Sequence, residues 1–336
     1  MHSNHQRKID FIVRERTQRL RSKFSRLSFS IVFGVLMTYL SAFLIQLLVA
    51  VFGVSENLEK NIYWEWCISL LPLYLIGVPS IFLIIRNVEA QVPKKQALPL
   101  GEFLLLLLIG RFFTLAGTYI SSILVSVTEV FLKNPISDSV SDLISKTPVW
   151  FIFLTTVILA PIVEEIIYRK LLIDRMCVHG EWIAILFSSL IFSLSHGNLY
   201  QVVYAFLNGC ILGLLYMRTG KLQYPIVFHM ITNFLGSVVA LPIVNAQERL
   251  QSLLAMGEMG GEYISLSMLV SGYSLTKFAL AILGAFVFFF CYKKFLPQKY
   301  AIEPIPRDVL FPVLVSTPGF VVFIFVTIFE FILSFL

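Results

Sequence analysis

The sequence predicts an all-α fold, a polytopic membrane helix bundle with about eight or nine transmembrane helices. Three observations predict it. Of 336 residues, 57% are hydrophobic and 14% charged, and the mean hydropathy is +0.84. A soluble domain of this length cannot cover so much apolar surface, so the solvent must be lipid. Apolar runs near the length a bilayer demands recur along the whole chain. These runs are too long for barrel strands and lack period-two alternation, which leaves helices.

Taken in order, the chain opens with a basic cytoplasmic tail, 1–27, in which Ile9, Ile12, Val13, Leu20, Phe24 and Leu27 recur at roughly helical spacing among Arg and Lys. This reads as an amphipathic helix lying on an anionic leaflet; nucleic acid is not an expected partner. Apolar segments follow at 28–53, 67–85, 103–127, 149–168, 182–196, 201–217, 224–241, 274–292 and 309–336. The first is too long for a signal-peptide core and lacks a small-residue cleavage site, so it reads as a signal anchor. Four regions result: the tail, N-terminal membrane helices over 28–147, a polar-residue-bearing core over 148–240, and 241–336 as an external loop plus C-terminal helices. The polar stretch 243–273, with "GEMGGEY", supplies that loop.

Lys and Arg set the orientation. With the N-terminus inside, segments 1–27, 86–102, 169–181, 218–222 and 293–308 hold 20 of the 26, whereas the opposite loops hold only Lys60, Lys133, Lys146 and Arg249. A multi-pass protein of the cell membrane with a cytoplasmic N-terminus is expected. Cys67, Cys177, Cys210 and Cys291 show neither CxxC nor metal spacing, so no disulfide framework is implied.

The costly residues lie in "TTVILAPIVEEIIYRKLLIDR". Glu164, Glu165 and Arg169 in one span carry roughly 7–10 kcal/mol of insertion cost that must be offset. Glu165 and Arg169 stand at i,i+4 and can pair; Glu164, about 100° round the helix, is left over. Two of the five histidines also fall within spans: His196 in "IFSLSHGN" and His229 in "PIVFHMITNF", with Asn233 on the same face. Ideal helix rise puts the glutamates and His196 at a common depth of about 20–25 Å from their shared turn, and matches Asn233 to that level better than His229. Arg111 and Glu330, each alone in a span, are expected to pair with other helices or to lie near span ends.

A carboxylate without a fixed counter-charge, in a partly dry site, takes a proton from water, and a neighbouring histidine helps hold that water. A second histidine with an asparagine offers donors to a developing oxyanion. Glu, His and His are also legitimate zinc ligands with Asn behind them. Both arrangements serve hydrolysis. HExxH, a GxSG serine elbow and paired intramembrane aspartates are all missing.

"EEIIYR", "FSLSH" and "HMITN" match EExxxR, FxxxH and HxxxN in order, and the stretch Asn198–Asn233 is similar throughout. Over about 148–240 the chain resembles the CPBP intramembrane proteases: type II CAAX prenyl endopeptidases and their bacteriocin-processing and self-immunity relatives. Lys170, where many members have Gly, and Tyr168, where Phe is usual, depart from the pattern. The resemblance implies Glu164 as general base, His196 as its partner on the water, His229 and Asn233 on the oxyanion side, and Glu165 and Arg169 in support. It implies an intramembrane endopeptidase acting on a membrane-associated peptide or protein substrate and leaves zinc and glutamate dependence open; no cofactor is preferred over zinc because Asn is a poor zinc ligand and no HExxH-type pair fixes two histidines on one helix. The other reading is a non-catalytic protein of the same fold, in self-immunity or partner binding.

Overall fold

The computed structural model describes residues 2–53, 58, 61–296, 302 and 307–335, and these contain helices and no strand. Helix α1 is His2–Val51, unbroken because no proline falls in it, and it stops ahead of Gly53 at φ +62°. Then come α2 (Ile62–Ile85), α3 (Leu100–Leu132), α4 (Ser139–Lys146), α5 (Val149–His179), α6 (Glu181–Leu194) and α7 (Leu199–Thr219). The rest are α8 (Gln223–Asn233), α9 (Leu241–Met256), α10 (Gly261–Phe295), α11 (Arg307–Val315) and α12 (Pro318–Leu333). Caps mark the entries: Asp138 accepts from Ser141 N–H and Asn198 from Tyr200 N–H.

Among the described residues seven helices are long and apolar enough to cross a membrane: α1, α2, α3, α5, α7, the run through α8 and α9, and α10. The shorter apolar α6 and α12 complete the nine segments read from the sequence. This is a multi-pass membrane protein.

Two expectations need correction. The segment 243–273 is not a loop: α9 and the start of α10 occupy it, parted only at 257–260. Its polarity reflects one exposed face, while Leu241, Ile243, Ala246 and Leu253 are buried at helical spacing. Arg249 clamps Glu262 across the break with two contacts of 2.7 and 3.1 Å. The apolar face of the N-terminal tail is not all free for a leaflet: Ile12 is 46% exposed, but from Leu20 on protein covers the stripe. Leu20, Phe24, Leu27 and Ile31 are at most 2% exposed, and the Phe24 ring packs 4.2 Å from Phe187 and 5.2 Å from Phe320. Helix α1 carries the Leu20–Phe24–Leu27 part of that face straight on into its span. The side chain of Ile9 lies outside the described residues.

The chain divides into two compact units. The first comprises residues 1–93, 166–191 and 297–336, and is built on α1 with α2 and α12. In it the Tyr39 hydroxyl donates to Glu330 at 3.1 Å, the expected interhelical partner for that lone carboxylate. Cys177 and His179 are buried. The second comprises 94–165 and 192–296, with α3 packed along α7 and α10. Gly284 of α10 lies flush on the Leu108 carbonyl, where any Cβ would collide; without an aqueous driving force, such small-residue seams let membrane helices approach.

The Glu–His cluster and its relatives

The glutamates sit on a six-residue α-helical stretch of α5, Ala160–Glu165, bounded by π-helical turns at Phe153–Leu159 and Ile166–Ile173. Proline explains the first. Pro161 has no N–H, and the turn before it widens to i→i+5 bonding, with Ala160 N–H on the Thr155 carbonyl. Helix α2 repeats the device, with a π turn at Leu73–Gly77 ahead of Pro79. With Ala160 committed to Thr155 and Pro161 lacking a donor, the Thr156 carbonyl has neither its i+4 nor its i+5 partner. Asn233 supplies one: its side-chain amide donates to Thr156 O at 2.9 Å. That amide keeps a second N–H.

His229 of α8 is the hub. Its Nδ1 lies 3.0 Å from Glu165 Oε1, and its Nε2 lies 3.7 Å from Glu164 Oε2. The Glu165 side chain is fully buried, His229 is 7% exposed, and Glu164 is 29% exposed. A carboxylate oxygen accepts, so in this pair Nδ1 is the donor to Glu165 and Nε2 is the ring atom turned toward Glu164. The depth estimate that favoured Asn233 over His229 is therefore corrected.

His196 lies just past the end of α6, on a turn closed by Gly197 at φ +59°. Its Nδ1 donates to the Phe192 carbonyl at 2.8 Å, capping the helix and leaving Nε2 as acceptor. The Phe192 ring, 3% exposed, stands edge-on to both imidazoles, 4.8 Å from His196 and 5.8 Å from His229. Phe192 thus spaces the two histidines. Its motif position was legible in the sequence, but its contact with a second helix was not. In the first unit, Arg169 is fully buried and donates to the Ser188 hydroxyl at 2.8 Å, which in turn donates to the Tyr168 carbonyl. Lys170 pairs with Asp174 at 2.6 Å.

The donor types suit zinc, and His229 Nε2 lies 3.7 Å from Glu164 Oε2. No third joins them: among the described residues no three of His, Cys, Asp and Glu are gathered to hold a metal ion. As they stand, the residues do not fit one.

Fold and cluster together define a polytopic helical membrane protein that carries a buried, hydrogen-bonded Glu–His group within its spans. A family model for the Rce1-like type II CAAX prenyl endopeptidases matches residues 146–235, a range that contains the whole cluster. The chain is similar to the membrane-embedded CAAX protease MroQ of Staphylococcus aureus (strain USA300), 30% identical over 195 residues, covering 53% of this chain and 74% of that protein. It is similar also to the putative membrane peptidase YdiL of Bacillus subtilis (strain 168), 28% identical over 55% of this chain and 76% of that one. A third relative is the UPF0177 protein YxdF of Lactococcus lactis subsp. lactis (strain IL1403), 26% identical over 39% of this chain and 73% of that one. No solved structure matches it. The chain belongs to the CPBP family of CAAX-type membrane proteases.

Proposed function

We propose that this protein is an intramembrane endopeptidase that hydrolyses membrane-associated peptides or proteins with a carboxylate-activated water. One observation carries the reading: His229 stands between two glutamates, anchored by the buried one and turned toward the half-exposed one. Glu164 and His196 Nε2, both acceptors, hold the two protons of a water molecule. As the water oxygen bonds to the scissile carbonyl carbon, Glu164 takes its proton. The second N–H of Asn233 steadies the oxyanion. When the C–N bond breaks, the amine leaves with the proton that Glu164 took from the water, returned directly or relayed through His229 Nε2, whose transient imidazolium Glu165 neutralises.

The distribution of Lys and Arg supports a cytoplasmic N-terminus, with the site reached from that side. The experiment compares cells expressing wild type and Glu164→Gln at matched levels, by mass spectrometry of membrane-protein termini. New termini in wild type alone support the peptidase. Identical termini, with partner capture by both proteins, would instead favour the non-catalytic role.

A further inference from the structure

The turn that carries His196 is held from both sides, and one side reaches a carboxylate outside the Glu–His group. On the N-terminal side the imidazole caps α6 through the Phe192 carbonyl. On the C-terminal side stand Gly197, at φ +59°, and Asn198. Gly197 gives the backbone its left-handed step but offers no side chain to brace it. Asn198 is 8% exposed, and its Oδ1 accepts from Tyr200 N–H at 2.8 Å, the bond that caps α7. Capping uses that oxygen alone. The amide nitrogen left over donates to Asp138 Oδ1 at 3.2 Å, sixty residues away in the chain.

Asp138 is itself fixed. Its Oδ1 accepts from Ser141 N–H at 3.3 Å and its Oδ2 from the Ser141 hydroxyl at 2.6 Å, at the start of α4. Two residues earlier, Ile136 is bound through both backbone groups. Its N–H donates to Glu129 Oε1 of α3 at 3.0 Å, and its carbonyl accepts from the Tyr200 hydroxyl at 3.0 Å. Segment 136–138 is thus tied to the end of α3 on one side and to the start of α7 at two points on the other. It is also close to the proposed chemistry: Tyr204, one turn after Tyr200, lies within electrostatic reach of both Asp138 and Glu164. A carboxylate holds an amide roughly twice as firmly as a neutral oxygen does, and negative charge is favoured beside the N-terminus of a helix such as α7.

Resting on the peptidase reading, we infer that Asp138, acting through the Asn198 amide, is a positioning residue for His196: the pair fixes the Gly197 turn so that Nε2 meets the water held by Glu164. The test exchanges the two partners in the full-length protein in nanodiscs. Asp caps a helix as well as Asn does, so Asn198→Asp keeps the α7 cap and changes what faces Asp138 to a second carboxylate. Cleavage of a peptide found by the termini comparison should then lose about tenfold or more in kcat, with KM within about threefold, because a small misplacement of a catalytic group is costly. Adding Asp138→Asn reverses donor and acceptor and should return kcat to within about threefold of wild type. A second readout needs no turnover. In ¹⁵N-histidine-labelled Glu164→Gln protein, the His196 Nδ1 resonance, assigned by its absence from His196→Gln, should shift with Asn198→Asp and return with the exchange. A role in capping alone moves neither readout. Size-exclusion elution checks folding. If Asn198→Asp does not fold, Asp138→Asn, which keeps the shape of the pair and removes its charge, is read instead and should lower kcat by about three- to tenfold. The inference is overturned by a kcat within threefold of wild type for Asn198→Asp, or within twofold for Asp138→Asn where that is read. It is also overturned by an exchange no more active than Asn198→Asp alone, or by a loss confined to KM. If no form of the protein cleaves, the peptidase reading fails and the resonance decides: a reversible shift supports the positioning pair, and an unmoved resonance overturns it. Cleavage that ignores the exchange refutes the pair alone.

Discussion

Replacing Glu165 by Gln tests how the buried half of the Glu–His group works. The carboxylate is sealed from solvent and lies 3.0 Å from His229 Nδ1, so its charge is felt by the imidazole without screening by water. Gln is nearly isosteric and can still turn its carbonyl oxygen to Nδ1–H, which preserves the tautomer and the ring position. What is lost is the charge-assisted part of the bond and the counter-charge for an imidazolium formed during turnover. Hydrogen bonds to charged groups are worth about 1.5–3 kcal/mol and neutral ones about 0.5–1.5, so the charge-assisted part is about 1–1.5 kcal/mol. At about 1.4 kcal/mol per factor of ten, the cleavage rate should fall by roughly 5–13-fold. Glu164→Gln, which removes the base itself, should fall further, to background. The assay is single-turnover cleavage by purified protein in nanodiscs, using a peptide identified from the termini comparison. A ¹⁵N-histidine spectrum of the same samples reads the His229 Nδ1 resonance, which a purely structural effect at a distance would not move. A Glu165→Gln rate within twofold of wild type would refute the coupling of Glu165 to His229. A null Glu165→Gln beside an active Glu164→Gln would mean the two carboxylates have exchanged roles.

Phe192→Ala should destabilise the protein by about 3–5 kcal/mol and lower activity with it, since one ring supports both imidazoles; thermal unfolding and cleavage rate should fall together, and Phe192→Leu should recover part of both. Under the water-activating carboxylate, elemental analysis of active, detergent-purified protein should find zinc well below one per chain, and chelators should leave the rate unchanged; one removable zinc whose loss ends activity would replace that mechanism with a metal-dependent one. In a cysteine-free background, a cysteine at Glu258, on the exposed four-residue break between α9 and α10, should react with an impermeant maleimide from outside the cell. Labelling only after lysis would invert the orientation.

The sequence alone determined the medium and the secondary structure. Composition and run length force lipid-embedded helices whatever their arrangement, because a bilayer leaves backbone amides no other way to be satisfied. It also marked Glu164, Glu165, His196, His229 and Asn233, because charged and hydrogen-bonding side chains are conspicuous among Ile, Leu and Phe. Which of them meet was decided by tertiary structure. Ideal α-helical rise put Asn233 level with the glutamates; in the folded bundle His229 meets them instead, and Asn233 goes to the Thr156 carbonyl that the widened turn before Pro161 leaves without a helical partner. Polarity misread 243–273 as a loop, because exposure on one face and absence of structure look alike until a neighbour buries the other face. The tail's apolar stripe, Leu20–Phe24–Leu27, was legible as a stripe but silent about its cover, since Phe187 and Phe320 suit an aromatic edge as well as a leaflet does. Spacing within one helix fixes which side chains share a face. What that face meets depends on the rotation and register of helices distant in sequence, and these are set only when the whole bundle packs.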